Sequence, residues 1–285
     1  MSEFDTQGYW ERRLREHFSL EGVGYLRLGR RFNRWMYRVR GLVFDEAVRR
    51  YWRVGAGLSA RTSPAPAESR VPSAECQAKV LDVGAGTGFY VERWLALGAS
   101  VTGLDLTEVS VGNLRERFPA ARFLRADIGL PLEEPLASER GTFAAVSAFD
   151  VLFHLVDDAH YARALRNLAE LLEPRGLLFW SDNFIHQPTT RVTHQVSRSL
   201  AEVGETLDAA GLEIVSRVPM FVLMNYPADT RSRLAKWAWT AMVSPAMVSD
   251  RLGGVLGALL YPLETWLVRR IDESPSTELM VCRRR

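Results

Sequence analysis

Residues 80–90 run Val80-Leu81-Asp82-Val83-Gly84-Ala85-Gly86-Thr87-Gly88-Phe89-Tyr90. A short apolar run ends in alternating glycines, and a helical pattern opens at Gly88. The pattern is that of a strand passing through a glycine turn into a helix. Gly84 and Gly86 permit positive φ or a close backbone approach. A ligand can then lie against bare peptide at a helix N-terminus. The spacing is G-x-G-x-G, not the G-x-G-x-x-G whose turn is fitted to a dinucleotide pyrophosphate. Alone, such a loop is equally a tight βα turn.

Outward from the loop, strand and helix alternate. SVTGLD, ARFLRAD, TFAAVSAF and GLLFWSD are short apolar runs of buried-strand length. YVERWLALG, TEVSVGNLRERF and DDAHYARALRNLAELLEP lie between them with helical character. The alternation predicts an α/β fold with a parallel sheet covered on both faces. LEIVSRVPMFVLMNYP and STELMVCRR add two late strands, with a helical apolar segment over about 229–274 between them. HQVSRSLAEVGETLDAAG is expected as one helix, with Val196, Leu200, Val203 and Leu207 on one face and Gly211 as its C-cap.

Acidic residues close successive strands. Asp105 ends the second, 17 residues after Gly88, where an acid accepts two ribose hydroxyls. Asp127 ends the third, placed to accept from an adenine amine, with Ile128 against the ring. Two acids at consecutive strand ends suit a ribose and an amino-purine and repel a polyphosphate. Each taken singly is also explained as a helix cap or a solvated loop residue.

These residues resemble the class I S-adenosylmethionine-dependent methyltransferases, in particular the small-molecule branch that includes the ubiquinone and menaquinone methyltransferases. The match is good over about 79–185, in VLDVGAGTG, VTGLDL, FLRADI, FDVLFHLVDD and LLEPRGLLFWSDNF, and looser to residue 285. The resemblance implies a Rossmann-like seven-stranded mixed sheet in order 3-2-1-4-5-7-6. It implies S-adenosylmethionine as cofactor, with the methionine moiety on Gly84, Ala85, Gly86 and Gly88 and its amino group near Asp82. Asp105 and Leu106 would then hold the ribose, and Asp127 and Ile128 the adenine. Phe149 and Asp150 would follow strand 4 near the sulfonium.

Methyl transfer is an in-line displacement in which the protein supplies alignment and dryness. An oxygen acceptor must also lose a proton, and His is best tuned for that near neutral pH. The candidates are His154, just past strand 4, and His186 and His194, past strand 5. Each has a plain structural alternative, a histidine bonding a neighbouring loop. Arg198, taken as i+4 from His194 on a helix, completes an anion-gripping pair or a solvated face. Asp150, Asp182 and Asn183 resemble the Mg²⁺ ligands of catechol-type O-methyltransferases. The rest of the chain lacks that likeness, so a metal-free site is expected.

The 285 residues divide by charge. Residues 1–79 carry net +6, residues 80–225 net −7 and residues 226–285 net +3. Of the 36 basic residues only Lys79 and Lys236 are not Arg, which with the high Ala content suggests a GC-rich bacterial source. Residues 1–58 are expected as a helical cap, 59–78 as a flexible Ser/Ala/Pro linker and 79–285 as the methyltransferase domain. Within the cap, Trp35, Tyr37 and Arg38 are expected to close over the ligands, with Arg38 on the methionine carboxylate. Tyr226, Trp237, Trp239, Tyr261 and Trp266 of the late insert are expected to line an apolar acceptor pocket, or simply to pack in the core.

The near-balanced total charge argues against a nucleic-acid partner. No Asn-Pro-Pro-aromatic motif follows strand 4, which counts against methylation of DNA adenine. MSEFDTQGYWERR has no apolar signal core, and the uncharged runs 237–249 and 252–263 fall short of the roughly 20 residues that span a bilayer. A cytoplasmic enzyme is therefore expected, with Cys76 and Cys282 as unpaired thiols. Peripheral membrane contact through the insert stays open, because its aromatic and basic residues favour an interface.

The reading is O-methylation of a small molecule: a natural product, a sugar or a quinone-like ring. C-methylation is an alternative. A nucleotide-dependent dehydrogenase and a non-catalytic cofactor-binding or membrane-surface module are rivals of other classes.

Overall fold

The computed structural model describes residues 4–55 and 77–285. Cys76 and most of the expected linker lie outside them. Chain entry is through α1 (Thr6–Glu16), which starts where the Asp5 side chain accepts from the Gly8 N–H at 2.8 Å. A 3-10 turn at Leu26–Leu28 leads into α2 (Gly29–Gly55). Phe32, Met36, Val39, Val43 and Phe44 of α2 recur at helical spacing and are buried, while Arg30, Arg31, Arg34 and Arg38 face solvent.

The alternating region follows the expected order: β1 (Lys79–Val83), α3 (Phe89–Ala96), β2 (Ser100–Asp105), α4 (Glu108–Arg117), β3 (Arg122–Arg125), β4 (Phe143–Phe149), α5 (Asp158–Leu171) and β5 (Leu172–Asp182). Next come β6 (Thr190–Val192), β7 (Gln195–Ser197), α6 (Leu200–Ala209), β8 (Leu212–Pro219), α7 (Arg233–Val248), α8 (Asp250–Leu267) and β9 (Glu278–Arg284). The large sheet has seven strands in order β3-β2-β1-β4-β5-β9-β8. Strands β1 to β5 pair in parallel, and β9 runs antiparallel to both β5 and β8. The order matches 3-2-1-4-5-7-6 once β6 and β7, which form a separate hairpin, are left out of the count.

Both faces of the sheet are buried, as its near-continuous apolar strands require. One face packs on α2, α3 and the late helices around Phe44, Trp94, Phe179 and Phe221. The other packs on α5 and α6 around Tyr161, Leu168, Trp180 and Leu207. Each fully buried side chain of this kind contributes roughly 1.5–3 kcal/mol relative to exposure. Cys282 lies in the second cluster as a free thiol, its pKa pushed up to about 12 by burial.

One expected helix is shorter than its sequence pattern. Residues before Ser199 form the β6–β7 hairpin, where Arg191 pairs with Val196, and the helix begins only after Ser199 caps it. Val203 and Leu207 are buried on α6 as expected, but Val196 is a strand residue. His194 and Arg198 therefore never share a helix.

The late helices α7 and α8 join at Ser249 and fold back on one another. Both are tied to the loop after β8. Trp239 Nε1 donates to the Leu223 carbonyl at 2.9 Å, and the buried Glu264 carboxylate accepts from the Val222 and Leu223 N–H groups at 2.7 and 2.8 Å. Burial raises the Glu264 pKa, and these backbone donors oppose the rise. Among the described residues, no helix is long and apolar enough to cross a membrane.

Candidate active site

The β1 loop turns under the end of β2. Gly84, Gly86 and Gly88 have φ of 68°, 53° and 81°. At Gly84 a Cβ would also sit 2.2 Å from Val151 Cγ2, so both the backbone and the space demand glycine. The Gly86 N–H donates to Asp105 Oδ2 at 2.8 Å, while Asp105 Oδ1 accepts from the Thr107 N–H and Oγ1 at 2.9 and 2.7 Å. Burial raises the Asp105 pKa, and these donors pull it back. Asp105 thus fixes the loop and still faces the cavity beside it.

That cavity, about 140 Å³, is lined by Gly84, Ala85 and Gly86, by Asp105 and Leu106, by Asp127 and Ile128, and by Phe149 and Asp150. The ends of β1, β2, β3 and β4 therefore converge there. A bare-backbone turn, two strand-end acids and the apolar Ile128 and Phe149 fit a ribose and adenine attached to an amino acid. Gly88 opens α3 behind the turn, against Phe118 and Leu114. Asp82 is placed differently. It does not line the cavity but lies beneath the loop, where Ser147 Oγ donates to it at 2.6 Å. Burial pushes its pKa up to about 7.

A second cavity of about 450 Å³ adjoins the first. Trp10, Tyr37, Asp150 and His154 border both. The larger one adds Tyr9, Arg40, Asn183, His194, Asn225 and Tyr226 among its walls. Its size and mixture of aromatic and amide groups suit an acceptor. The lid over both is α1, with Thr6, Trp10 and Leu14 over the first cavity. Arg13 holds the following turn to α1, with Nε to the Gly22 carbonyl at 2.6 Å. Glu11 accepts from the Glu108 N–H at 2.8 Å and so docks α1 on the start of α4.

The cap residues singled out in the sequence divide. Tyr37 lines both cavities. Trp35 packs against Tyr261 and the Gly254 carbonyl instead. Arg38 lies on the exposed face of α2 over the Trp35 ring, at 4.2 Å. The inward arginine is Arg40, two residues or about 200° further around the helix. Arg40 is buried and pairs with Asp150, which has an unusual φ of 58° and is braced by Ser181.

Of the three candidate histidines, the structure brings two together. His154 Nδ1 is 2.8 Å from the His194 carbonyl, and the rings lie 6.2 Å apart. A carbonyl only accepts, so Nδ1 carries the proton and Nε2 keeps its lone pair. Burial lowers the His154 pKa to about 4. His186 is outside both cavities, paired at 2.7 Å with Asp229 on the surface, and that bond raises its pKa. Arg198 is buried under Tyr161 and bonds the Leu155 carbonyl and Asp158, so it braces the hairpin rather than gripping a ligand.

Other expected groups are also engaged elsewhere. Asp182 is buried at the end of β5, accepts from the Asn183 N–H at 2.6 Å and has its pKa raised to about 7. Asn183 accepts from Thr277 Oγ1 at 3.0 Å. Asp150 faces Arg40, so the three do not present a shared set of free oxygens. Of the insert aromatics only Tyr226 lines the larger cavity; Trp237 and Trp266 are exposed. Two further pairings bear on the site. His160 bonds Asp127 at 3.0 Å, and Arg40 pairs with Asp150. Both are contacts between distant segments and left no local signal.

Residues 80–176 match the family model described as a methyltransferase domain. A ubiquinone biosynthesis O-methyltransferase from Methylocella silvestris is 30% identical over 141 residues, half of this chain and half of that protein. One from Chromobacterium violaceum is 30% identical over 158 residues, covering 47% of this chain and 64% of that protein. The chain thus spans about half to somewhat under two thirds of the length of these relatives. A Burkholderia thailandensis 1,6-didemethyltoxoflavin-N1-methyltransferase structure is 19% identical with a TM-score of 0.45, covering 73% of this chain and 71% of that one. Over residues 80–176 the chain carries a class I S-adenosylmethionine-dependent methyltransferase domain, and there the β1 loop and the acids that end β2 and follow β3 border the smaller cavity.

Proposed function

We propose that this protein is an S-adenosylmethionine-dependent O-methyltransferase of a small hydroxylated acceptor, with an aromatic, quinol-like ring favoured. The observation that carries this reading is the place of His154 on the wall shared by both cavities, neutral and with one tautomer fixed. The Ubiquinone O-methyltransferase relatives support the acceptor class.

In this reading Asp105 and Leu106 hold the ribose, Asp127 and Ile128 the adenine, and the glycine loop the methionine part. When bound, the cofactor supplies a methyl group already activated on a sulfonium. The protein aligns the acceptor oxygen with it and excludes water through the α1 lid. His154 Nε2 takes the acceptor hydroxyl proton as the oxygen gains the methyl. Arg40, through its ion pair with Asp150 on the wall of both cavities, takes the carboxylate role expected of Arg38. His194 orients His154 through its carbonyl, and His186 has no part in the reaction. No metal-assisted step is invoked. A cytoplasmic setting belongs to the same reading, in which the free Cys282 thiol is at home.

The test is release of S-adenosylhomocysteine from the full chain with catechol, hydroquinone and glycoside acceptors, with product mass and methyl position determined. A methyl ether on an aromatic hydroxyl is expected. His154→Gln should reduce turnover about 10²–10⁴-fold while S-adenosylhomocysteine affinity is retained. Methylation at carbon or nitrogen, or unchanged turnover in the variant, overturns the corresponding part.

A further inference from the structure

The late helices turn apolar residues outward. On α7 the inward side carries Val243 and Ala246, while Leu234, Trp237 and Val248 stand opposite at 73%, 68% and 82% exposure. On α8, Gly253, Gly257 and Glu264 face inward, and Leu252, Val255, Leu259, Leu263 and Trp266 are about half exposed or more. Both sets recur at helical spacing, so each helix has a second apolar stripe where a surface helix is ordinarily polar. The helices lie side by side, since Trp239 and Glu264 reach the same loop and Ala246 abuts Gly253. Eight large apolar side chains about half exposed or more on two adjoining helices are not the scattered single residues of an ordinary surface but the kind of face that marks an interaction site.

The rim of this face is cationic. Arg231, Arg233 and Lys236 stand at the start of α7, Arg251 at the start of α8 and Arg270 just past its end. Helix α2 packs along α8, where the Arg31 side chain lies against Gly254 and pairs with Asp250. The acids within α7 and α8 are Asp250, which accepts from the Arg31 N–H, and the buried Glu264; beyond the helix ends Asp229 pairs with His186, Glu273 pairs with Arg217, and Asp272 follows Arg270. A two-fold pairing of this face with itself would set one cationic rim against another. An apolar face edged by Arg, Lys and Trp matches an anionic lipid interface instead. The larger cavity opens beside it: Tyr226, Ala228 and Lys236 line that cavity, and Lys236 is in the first turn of α7 between Leu234 and Trp237.

We propose that the outward α7–α8 face docks on an anionic lipid bilayer and that the acceptor enters the cleft from that bilayer, carrying an apolar tail. The second half rests on the O-methyltransferase reading; the docking does not.

The full chain is tested by co-sedimentation with vesicles of phosphatidylcholine alone and of phosphatidylcholine with phosphatidylglycerol. Binding to the anionic vesicles is expected, and it should weaken with added salt. The Val248→Asp/Leu259→Asp variant touches neither cavity. It should lose binding by about tenfold or more, with S-adenosylhomocysteine affinity and melting temperature retained. Absence of vesicle binding, or equal binding by the variant, overturns the docking. So does a wild-type dimer that the variant converts to monomer without vesicle binding, because the face then belongs to a second copy. A long-chain alkyl hydroquinone in anionic vesicles should be methylated at least about tenfold faster than in neutral ones, and the variant should lose that gain. Equal rates overturn delivery from the bilayer. Vesicle binding without methylation of any hydroxylated acceptor overturns the functional reading and leaves docking standing.

Discussion

Asp105→Asn separates what the β2-end carboxylate does for the fold from what it does for the cofactor. The two side chains have nearly the same shape, so packing is unchanged. The carboxylate accepts on both sides, from the Gly86 N–H through one oxygen and from the Thr107 N–H and hydroxyl through the other. An amide has one oxygen. In either orientation its NH₂ faces a backbone N–H, and one buried donor loses its acceptor. That costs about 1–3 kcal/mol of stability, read from urea denaturation. The ribose hydroxyls also lose a charged acceptor, worth about 1.5–3 kcal/mol, so S-adenosylhomocysteine should bind roughly ten- to a hundredfold more weakly. Titration calorimetry is run on the alkaline side, at about pH 8, because burial raises the Asp105 pKa. Thr107→Val is the control. It removes the hydroxyl bond and the cap on the Ser110 N–H, at a cost of about 1 kcal/mol, and leaves the carboxylate in place. Affinity unchanged in Asp105→Asn, or weakened equally in Thr107→Val, would refute the ribose assignment.

Arg40→Ala leaves Asp150 half-buried without its cation and should cost about 3 kcal/mol or more, whereas Arg38→Ala on the exposed face should stay within about 0.5 kcal/mol; chemical denaturation compares them. For His154, the folded pKa near 4 lies below the ordinary value of 6.5, so the unfolded chain binds the extra proton first as pH falls. The stability margin of wild type over His154→Gln should therefore shrink between pH 6.5 and 4, and the acid limb of kcat/KM should lie well below 6.5. A limb at 6.5 would mean that the imidazole is solvated.

The legible parts of this molecule were those with a local signature. The β1 loop needs glycine at a backbone that other residues strain to adopt, and the acids of β2 and β3 end recognisable apolar runs. The late helices showed in their apolar period. What misled was side-chain direction. The choice between Arg38 and Arg40 depends on the phase of α2 against a sheet that the helix sequence does not contain. His194 and Arg198 sit four apart, a spacing that a helix would use, yet the β-branched Val192 and Val196 favour the hairpin that forms instead. His186 follows β5, as a candidate base would, but its partner Asp229 is 43 residues away. Pairings of that range are decided by the assembled fold.

Strand β9 has a consequence for how the chain folds. It follows β8 in sequence but lies between β8 and β5 in the sheet. Until β9 arrives, β5 ends the growing parallel sheet as an open edge, and β8 has no sheet partner. The helical segment α7–α8 must be accommodated before that gap can close. Closure is thus a late, long-range event, slow by its loop entropy and exposed to wrong edge pairing while it waits.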